Sequence, residues 1–292
     1  MKREISFHTG NGIKLAGELY LPDGKPGDKL AAVILCAGPG GGHAGLPTDV
    51  AAWLVREGFA VLRFDYRGFG RSEGPRCRLI PMEQVEDIRS AVTFMGLQTE
   101  INPGRIGLWG AATGGANATY TAAIDTRVKA FTSVSAAGDC GRWLRSLRRY
   151  WEWVAFLEEI EADRRERVLT GKSRLIENGQ LIFRDPVTNE YRAQLDAGAP
   201  KPPAMLSLES AEAIIAYRPE DVVDRIAPRA AMWLVAADDT LVPVDESMRM
   251  FRRAGEPKKL VVIQGEKHHT IYHGAGFEKM MTECAAWLRK WL

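Results

Sequence analysis

A turn with glycine on both sides is the feature that most constrains what this chain can fold into. Residues 105–109 form a short apolar run typical of a buried strand, and residues 114–124 have the composition of a helix. Between them the sequence is Gly110-Ala111-Ala112-Thr113-Gly114. Glycine at both ends of such a segment indicates a tight turn at which the two backbones come close together. The sequence therefore predicts a strand, a sharp turn with Ala112 at its tip, and a helix.

Apolar runs alternate with helical segments along most of the chain. An N-terminal hairpin is predicted over residues 3–20, with its turn at Asn11-Gly12. The predicted strands that follow are residues 31–37, 60–65, 105–109, 128–136, 230–237 and 259–264, and the predicted helices are 49–57, 82–97, 114–124, 246–254 and 277–292. Buried strands that alternate with helices predict an α/β fold with a mostly parallel central sheet, covered by helices on both faces.

The stretch from 139 to 225 differs from the rest. Its first half is rich in charge, Trp and Leu at helical spacing, and residues 178–203 are polar and turn-rich. We predict that residues 139–225 form a helical cap, inserted into a core made of residues 1–138 and 226–292.

Composition excludes several classes of protein. The 292 residues are enough for one large core, and a formal charge of +2 gives no electrostatic reason to expect nucleic acid or an anionic membrane as partner. No apolar leader or membrane-spanning run is visible, so we expect a cytoplasmic protein. The four cysteines are widely spaced without a Cys-x-x-Cys pair, which favours reduced thiols over a metal site or disulfides. No metal or cofactor is expected.

Several segments resemble, in chain order, those of the alpha/beta-hydrolase superfamily. They are Gly38-Pro39-Gly40-Gly41-Gly42, residues 65–72, the turn at 110–114, and the two late loops 239–243 and 265–269. The resemblance is nearest to the esterase, dienelactone hydrolase and acyltransferase-like branch. It implies the alpha/beta-hydrolase fold with an inserted helical cap.

The resemblance also implies a catalytic triad. Ala112 occupies the place of the nucleophilic serine in the family's Gly-x-Ser-x-Gly turn. Asp239 begins a loop that resembles the family's Asp-x-x-Val-Pro acid loop, and His268 stands three residues after Gly265, where the family carries its general base. In such a triad the acid orients the imidazole, which takes the proton of the nucleophile. Two of the three members are present.

Other residues compete for these roles. Asp238 is as plausible an acid by composition, and Asp139 ends the strand before the cap and could approach the same histidine. His269 and His273 are predicted to be surface residues.

The oxyanion hole is expected to use two backbone N–H groups. The first is that of Thr113, directly after the nucleophile position. Direct alignment of the glycine-rich loop puts Pro39 at the second donor position, where proline has no N–H, and a shift of one residue would give Gly40. The loop lacks the Gly-Lys-Ser/Thr ending of a phosphate-binding loop, which argues against nucleotide binding.

Four cap residues are candidates for substrate contact. Arg142 and Arg145 fall on one helical face, and Trp143 and Trp151 supply aromatic surface. They form either a solvated arginine face over packed aromatics or a clamp for a carboxylate or a long acyl chain.

Three accounts of the alanine remain. In the first, which we favour, the natural protein has serine at 112, and this chain is an inactive Ser→Ala variant that holds a substrate without turnover. In the second, alanine is natural and the protein binds a ligand in a former active site. In the third, which is the weakest, Thr113 attacks. The first predicts a serine hydrolase acting on a small-molecule ester or thioester, with acyl transfer or carbon–carbon bond cleavage as alternatives. A homodimer is compatible with the sequence.

Overall fold

An eight-stranded sheet forms the centre of the molecule. The computed structural model describes residues 1–23, 29–39, 48–183, 185–186, 188–190 and 205–292. The strands of the sheet are β1 (Lys2–His8), β2 (Lys14–Tyr20), β3 (Leu30–Cys36), β4 (Ala60–Phe64), β5 (Ile101–Ala111), β6 (Val128–Val134), β9 (Ala230–Ala236) and β10 (Lys258–Ile263). Two further strands, β7 (Leu175–Glu177) and β8 (Met205–Ser207), pair with each other outside it.

The strand order is β1-β2-β4-β3-β5-β6-β9-β10. β1 and β2 form the predicted antiparallel hairpin, and β2 pairs with β4 antiparallel. From β4 to β10 every neighbouring pair is parallel. The carboxyl ends of these six strands therefore meet at one edge of the sheet, where loops can bring side chains together.

Helices cover both faces of the sheet. They are α1 (Thr48–Arg56), α2 (Pro81–Gly96), α3 (Thr113–Ile124), α4 (Cys140–Ser146), α5 (Tyr150–Thr170), α6 (Asn178–Leu181), α7 (Leu208–Ile215), α8 (Val244–Arg253) and α9 (Gly274–Trp291). α1 contacts α9, and α2 contacts α3. The predicted α/β fold is confirmed.

The parallel strands are buried on both faces, which explains why they are visible in the sequence as unbroken apolar runs. All seven residues of β9 are buried, and six of the seven in β3. Element boundaries differ from the predicted ones by up to four residues. The largest difference is at β5, which begins at Ile101 because the polar residues 102–105 continue the extended chain before the apolar run.

Between β6 and β9 the described chain is mainly helical, with α4, the 21-residue α5, α6, α7 and two short 3-10 turns. The β7–β8 pair was not predicted, because strands of three residues are too short to show a period. Residues 191–204 lie outside the described part of the chain. The division into a core and an inserted cap stays a prediction. None of the helices described is long and apolar enough to cross a membrane.

Candidate active site

Ala112 lies at the tip of a strained turn between β5 and α3. Its backbone angles are φ 52° and ψ −122°, a conformation that residues with a side chain rarely adopt. Such a residue costs about 1–3 kcal/mol and persists only where the surrounding structure holds it. The strain is thus retained at the position where the family carries its nucleophile, although the side chain is only a methyl group.

Close backbone contacts explain the glycines around this turn. A Cβ added to Gly110 would lie 2.2 Å from the main-chain oxygen of Gly114, and one added to Gly114 would lie 2.1 Å from that of Cys36. Both distances are far below van der Waals contact. Only glycine fits at either position, and β3, β5 and α3 approach one another because of it.

Main-chain hydrogen bonds tie the ends of the four strands β5, β6, β9 and β10 together. They run from Ala112 N to Val134 O (2.9 Å), from Ser135 N to Leu234 O (2.8 Å) and from Ala237 N to Ile263 O (2.9 Å). β9 lies two strands from β5, which corresponds to about 10 Å. Residues that follow β9 therefore start about 10 Å from the turn at Ala112, and those that follow β10 start one strand farther along the same edge.

Asp239 and His268 are joined at this edge. The carboxylate oxygen Oδ2 of Asp239 lies 2.7 Å from Nδ1 of His268. The other oxygen, Oδ1, accepts the backbone N–H groups of Leu241 (3.0 Å) and Val242 (2.8 Å). Both side chains are almost completely buried, with 1% of Asp239 and 8% of His268 exposed. The acid and the imidazole are consequently held as a fixed pair.

The hydrogen bonds of Asp239 also define the state of the imidazole. Because Oδ1 accepts two N–H donors, the group acts as a carboxylate acceptor, and Nδ1 of His268 donates to Oδ2. The lone pair of a neutral ring is then on Nε2, which has no hydrogen-bond partner among the described residues. This is the arrangement that a general base requires.

The competing residues have other surroundings than the Asp239–His268 pair. Asp238 is exposed, and its N–H donates to the main-chain oxygen of Glu266, which links the acid and base loops (2.9 Å). Asp139 caps α4 by accepting the N–H of Arg142 (2.9 Å) and pairs with Arg218 (3.4 Å). His273 is exposed, as expected for a surface residue. His269 is half-buried, with its ring edge-on to His268 at 5.0 Å between centroids.

One of the expected oxyanion donors lies beside the turn. Thr113 is the first residue of α3, so its N–H has no acceptor within the helix and is directed out of the helix N-terminus. Its hydroxyl is buried, and no described group, His268 included, hydrogen-bonds to it. Pro39 has no N–H to donate, and Gly40 lies outside the described residues. A Cβ added to Gly38 would lie 4.0 Å from the Cβ of Ala112, so the glycine-rich loop begins next to the turn.

The strand order, the strained turn and the buried acid–base pair agree with a comparison of the sequence against known families. The profile of the family described as serine aminopeptidase, S33, matches residues 27–274. The chain belongs to this alpha/beta-hydrolase family.

Relatives of this chain include fungal enzymes of similar length. The polyketide transferase claH of Penicillium crustosum is 26% identical, over 95% of this chain and 94% of its own. The thiohydrolase aneE of Aspergillus aculeatus is also 26% identical, over 95% of this chain and 90% of its own. The crystal structure of the alpha/beta hydrolase GrgF from Penicillium sp. sh18 superimposes with a TM-score of 0.84 at 23% identity, covering 100% of this chain and 99% of that chain. At this identity, the similarity to GrgF supports the fold alone.

Arg142, a candidate for substrate contact, is enclosed by carboxylates. Its Nε lies 2.6 Å from Oε1 of Glu246, and its Nη2 lies 2.8 Å from Oε2 of Glu220. The hydrogen bonds from Arg142 hold the pKa of Glu220 below its usual value. Glu246 also accepts the N–H groups of Gly138 and Asp139. Arg142 therefore links α4 to α8 and to the 3-10 turn that carries Glu220, and its contact with a substrate stays a prediction.

The remaining three cap candidates also have other partners. Trp143 is buried, and its Nε1 donates to the main-chain oxygen of Leu241 (2.8 Å). Arg145 donates to the main-chain oxygen of Arg148 (2.9 Å). Trp151 is 63% exposed on α5. None of the three has a contact in the described structure that marks it as a substrate ligand.

The sequence did not reveal the roles of Glu220, Glu246 and Trp143. Glu246 lies in the first turn of α8 and Glu220 in a 3-10 turn, positions at which acidic residues are ordinary helix-terminal groups. Their partner Arg142 is 78 and 104 residues away. No local pattern indicates such a pairing.

Proposed function

We propose that this site is built for acyl-enzyme chemistry on an ester or thioester, and that Ala112 stands where the serine of the active form attacks. The observation that carries the proposal is the 2.7 Å hydrogen bond between Asp239 and His268, buried at the same sheet edge as the strained turn. A buried carboxylate and a strained backbone are both costly, and sites that retain both are usually functional.

In the serine form, the reaction would follow the triad mechanism. The serine oxygen attacks the acyl carbonyl while Nε2 of His268 takes its proton, and Asp239 stabilises the resulting imidazolium. The N–H of Thr113 stabilises the oxyanion. His268 then gives the proton to the leaving group, and a second nucleophile releases the acyl group from the serine.

The names of the fungal relatives favour a thioester as substrate. One is a thiohydrolase and the other a polyketide transferase, so both water and a different acceptor are possible second nucleophiles. Hydrolysis is our leading candidate. Acyl transfer and carbon–carbon bond cleavage would use the same residues.

Ala112 itself favours a second candidate. A methyl group cannot attack a carbonyl, so the chain with this residue would bind an acyl ligand and not form an acyl-enzyme. If alanine is the natural residue, the protein would be a ligand-binding alpha/beta hydrolase whose site keeps the acid–base pair.

Replacing Ala112 by serine tests the two candidates. The Ala112→Ser chain should hydrolyse p-nitrophenyl butyrate or S-butanoyl-N-acetylcysteamine and be labelled by a fluorophosphonate. Loss of a triad nucleophile costs about a million-fold in turnover, so the gain should be large. The double variant Ala112→Ser, His268→Gln is the matched control, because it has the hydroxyl without the base. If the serine form is folded but neither hydrolyses the two substrates nor reacts with the fluorophosphonate, the result would contradict the proposed enzyme and favour the ligand-binding protein.

A further inference from the structure

We propose that the chain with alanine at position 112 removes a proton from the carbon next to a bound acyl carbonyl, so that enolisation of an acyl thioester is a further activity of this site. The inference rests on the proposed function, because it needs the acyl carbonyl to bind where the serine form would attack it. It differs from that function in the bond that breaks, which is a C–H bond and not the bond to the leaving group.

The base for this step is Nε2 of His268. In a complete triad this atom faces the nucleophile's hydroxyl and is used to deprotonate it. Here position 112 carries a methyl group, and no described residue hydrogen-bonds to Nε2. Asp239, at 2.7 Å from Nδ1, still fixes the tautomer and would stabilise the imidazolium. The chain therefore retains an oriented base that has lost its usual proton donor.

The group that would stabilise the product of proton removal is also retained. Loss of the α-proton places negative charge on the carbonyl oxygen of the enolate, as attack by serine does on the oxyanion. The N–H of Thr113, at the positive end of the 12-residue helix α3, is directed to that oxygen in either case. A carboxylate-supported base together with an oxyanion donor is the pattern for proton abstraction next to a carbonyl.

At the tip of the turn, position 112 presents a methyl group where the serine form would present a hydroxyl. Ala112 is half-buried at the tip, and its neighbour Gly38 carries no side chain of its own. Asp239 and His268 follow β9 and β10, which are the second and third strands from β5 in the same sheet. In this proposal the α-carbon of a ligand whose carbonyl oxygen accepts from the Thr113 N–H faces Nε2 of His268, in the place that the hydroxyl has in the serine form.

The step balances without any co-reactant. The C–H bond breaks, its proton goes to Nε2, and its electron pair forms the carbon–carbon double bond as the carbonyl electrons move onto oxygen. In the reverse direction the imidazolium returns a proton, or a deuteron acquired from heavy water, to carbon. A thioester is the favoured substrate because sulfur donates little electron density to the carbonyl, which leaves its α-protons more acidic than those of an ester.

Deuterium exchange tests the inference with the chain as it stands. Phenylacetyl-N-acetylcysteamine is incubated with the protein in heavy water, and loss of the α-proton signal is followed by NMR. We expect exchange faster than in buffer alone, and slower by roughly a hundredfold in His268→Gln. Asp239→Asn, which disturbs the tautomer of His268 but leaves its imidazole in place, should lower the exchange rate as well. His8→Gln, the same change at an exposed position on β1, is the matched control and should exchange like the parent chain.

The outcomes separate this inference from the proposed function. Thioester turnover by the Ala112→Ser form without exchange in the alanine chain would overturn the enolisation and leave the proposed function standing. Hydrolysis without exchange in the alanine chain would also overturn it, because a water molecule would then be the group that His268 deprotonates. If the serine form were inactive and NMR showed that phenylacetyl-N-acetylcysteamine binds neither the serine nor the alanine form, both the proposed function and this inference would be wrong. Circular dichroism of each variant confirms that it is folded.

Discussion

The indole Nε1 of Trp143 donates a 2.8 Å hydrogen bond to the main-chain oxygen of Leu241. The N–H of the same Leu241 donates to Asp239, which in turn accepts from His268. One buried side chain of α4 is therefore connected, through a single residue, to the carboxylate that orients the base.

Trp143 should act as a positioning residue for Asp239. In the Ala112→Ser form, Trp143→Phe keeps an aromatic ring in the buried space but removes the donor to Leu241. We expect kcat to fall about tenfold, equivalent to a lost hydrogen bond of about 1.4 kcal/mol, with KM nearly unchanged. Steady-state kinetics with the butanoyl thioester measure both constants. A rise in KM at constant kcat would instead place Trp143 against the substrate.

The backbone strain at Ala112 should be measurable as stability. Glycine adopts φ 52° without steric cost, so Ala112→Gly should remove the backbone strain from the folded state. The only opposing effect is the greater conformational entropy of glycine in the unfolded chain. The expected net gain is about 1 kcal/mol in the free energy of unfolding, measured by urea denaturation. Ala118→Gly is the matched control, because Ala118 is buried within α3 and should be destabilised by the same substitution. Destabilisation at both positions would show that the turn is not strained.

The fold could be predicted from the sequence because strands and helices of this kind leave local patterns in it. Strands such as β9 are buried throughout, and their apolar runs alternate with amphipathic helices at regular spacing. The glycines at 110 and 114 indicated the turn at Ala112, because no other residue fits there. Asp239 and His268 were proposed from loop motifs, and the structure brings the two side chains into contact.

Contacts between distant segments could not be predicted in the same way. Trp143 and Leu241 are 98 residues apart, and nothing in the sequence around either distinguishes a structural tryptophan from one that contacts a ligand. For the same reason Arg142 was a substrate candidate, although two carboxylates from other segments enclose it. Long side chains on a helix have many possible partners, and only the tertiary structure selects among them.

Arg142 should contribute to stability and not to ligand binding. Arg142→Met would remove the cation closest to Glu220 and Glu246, whose side chains are 8% and 5% exposed, and would leave Glu220 only the longer ion pair with Arg218 (3.8 Å). Removing one partner of a buried ion pair typically costs about 3–5 kcal/mol, and we expect a loss of that size in urea denaturation. Arg145→Met on the same helix is the matched control and should cost about 1 kcal/mol, because Arg145 donates to a main-chain oxygen and lies over the exposed ring of Tyr150, with no carboxylate partner among the described residues. If Arg142→Met instead has unchanged stability and binds the thioester more weakly, the result would indicate that Arg142 contacts the substrate.

The buried ion pair between Asp87 and Arg67 should make stability depend on pH in a characteristic direction. Asp87 lies on α2 and holds Arg67, in the loop after β4, through bonds of 2.8 Å to its Nε and 2.9 Å to its backbone N. Burial raises the pKa of Asp87 to about 6, an effect only partly offset by the hydrogen bonds from Arg67. The native state therefore binds a proton at this carboxyl more tightly than the unfolded chain, in which the pKa of the aspartate is 3.8.

The contribution of Asp87 to stability is consequently fully present below pH 3.8 and is lost as the pH rises through 6. Other carboxyl groups titrate over the same pH range and also change the stability. The effect of Asp87 is therefore isolated by subtracting the free energy of unfolding of Asp87→Asn, whose side chain cannot titrate, from that of the parent chain. We expect this difference to fall by roughly 2 kcal/mol between pH 4 and pH 7, whatever its absolute size. Urea denaturation at four pH values measures it. A difference that rises with pH would mean that the attraction of Arg67 outweighs the effect of burial, and that the native pKa of Asp87 lies below 3.8.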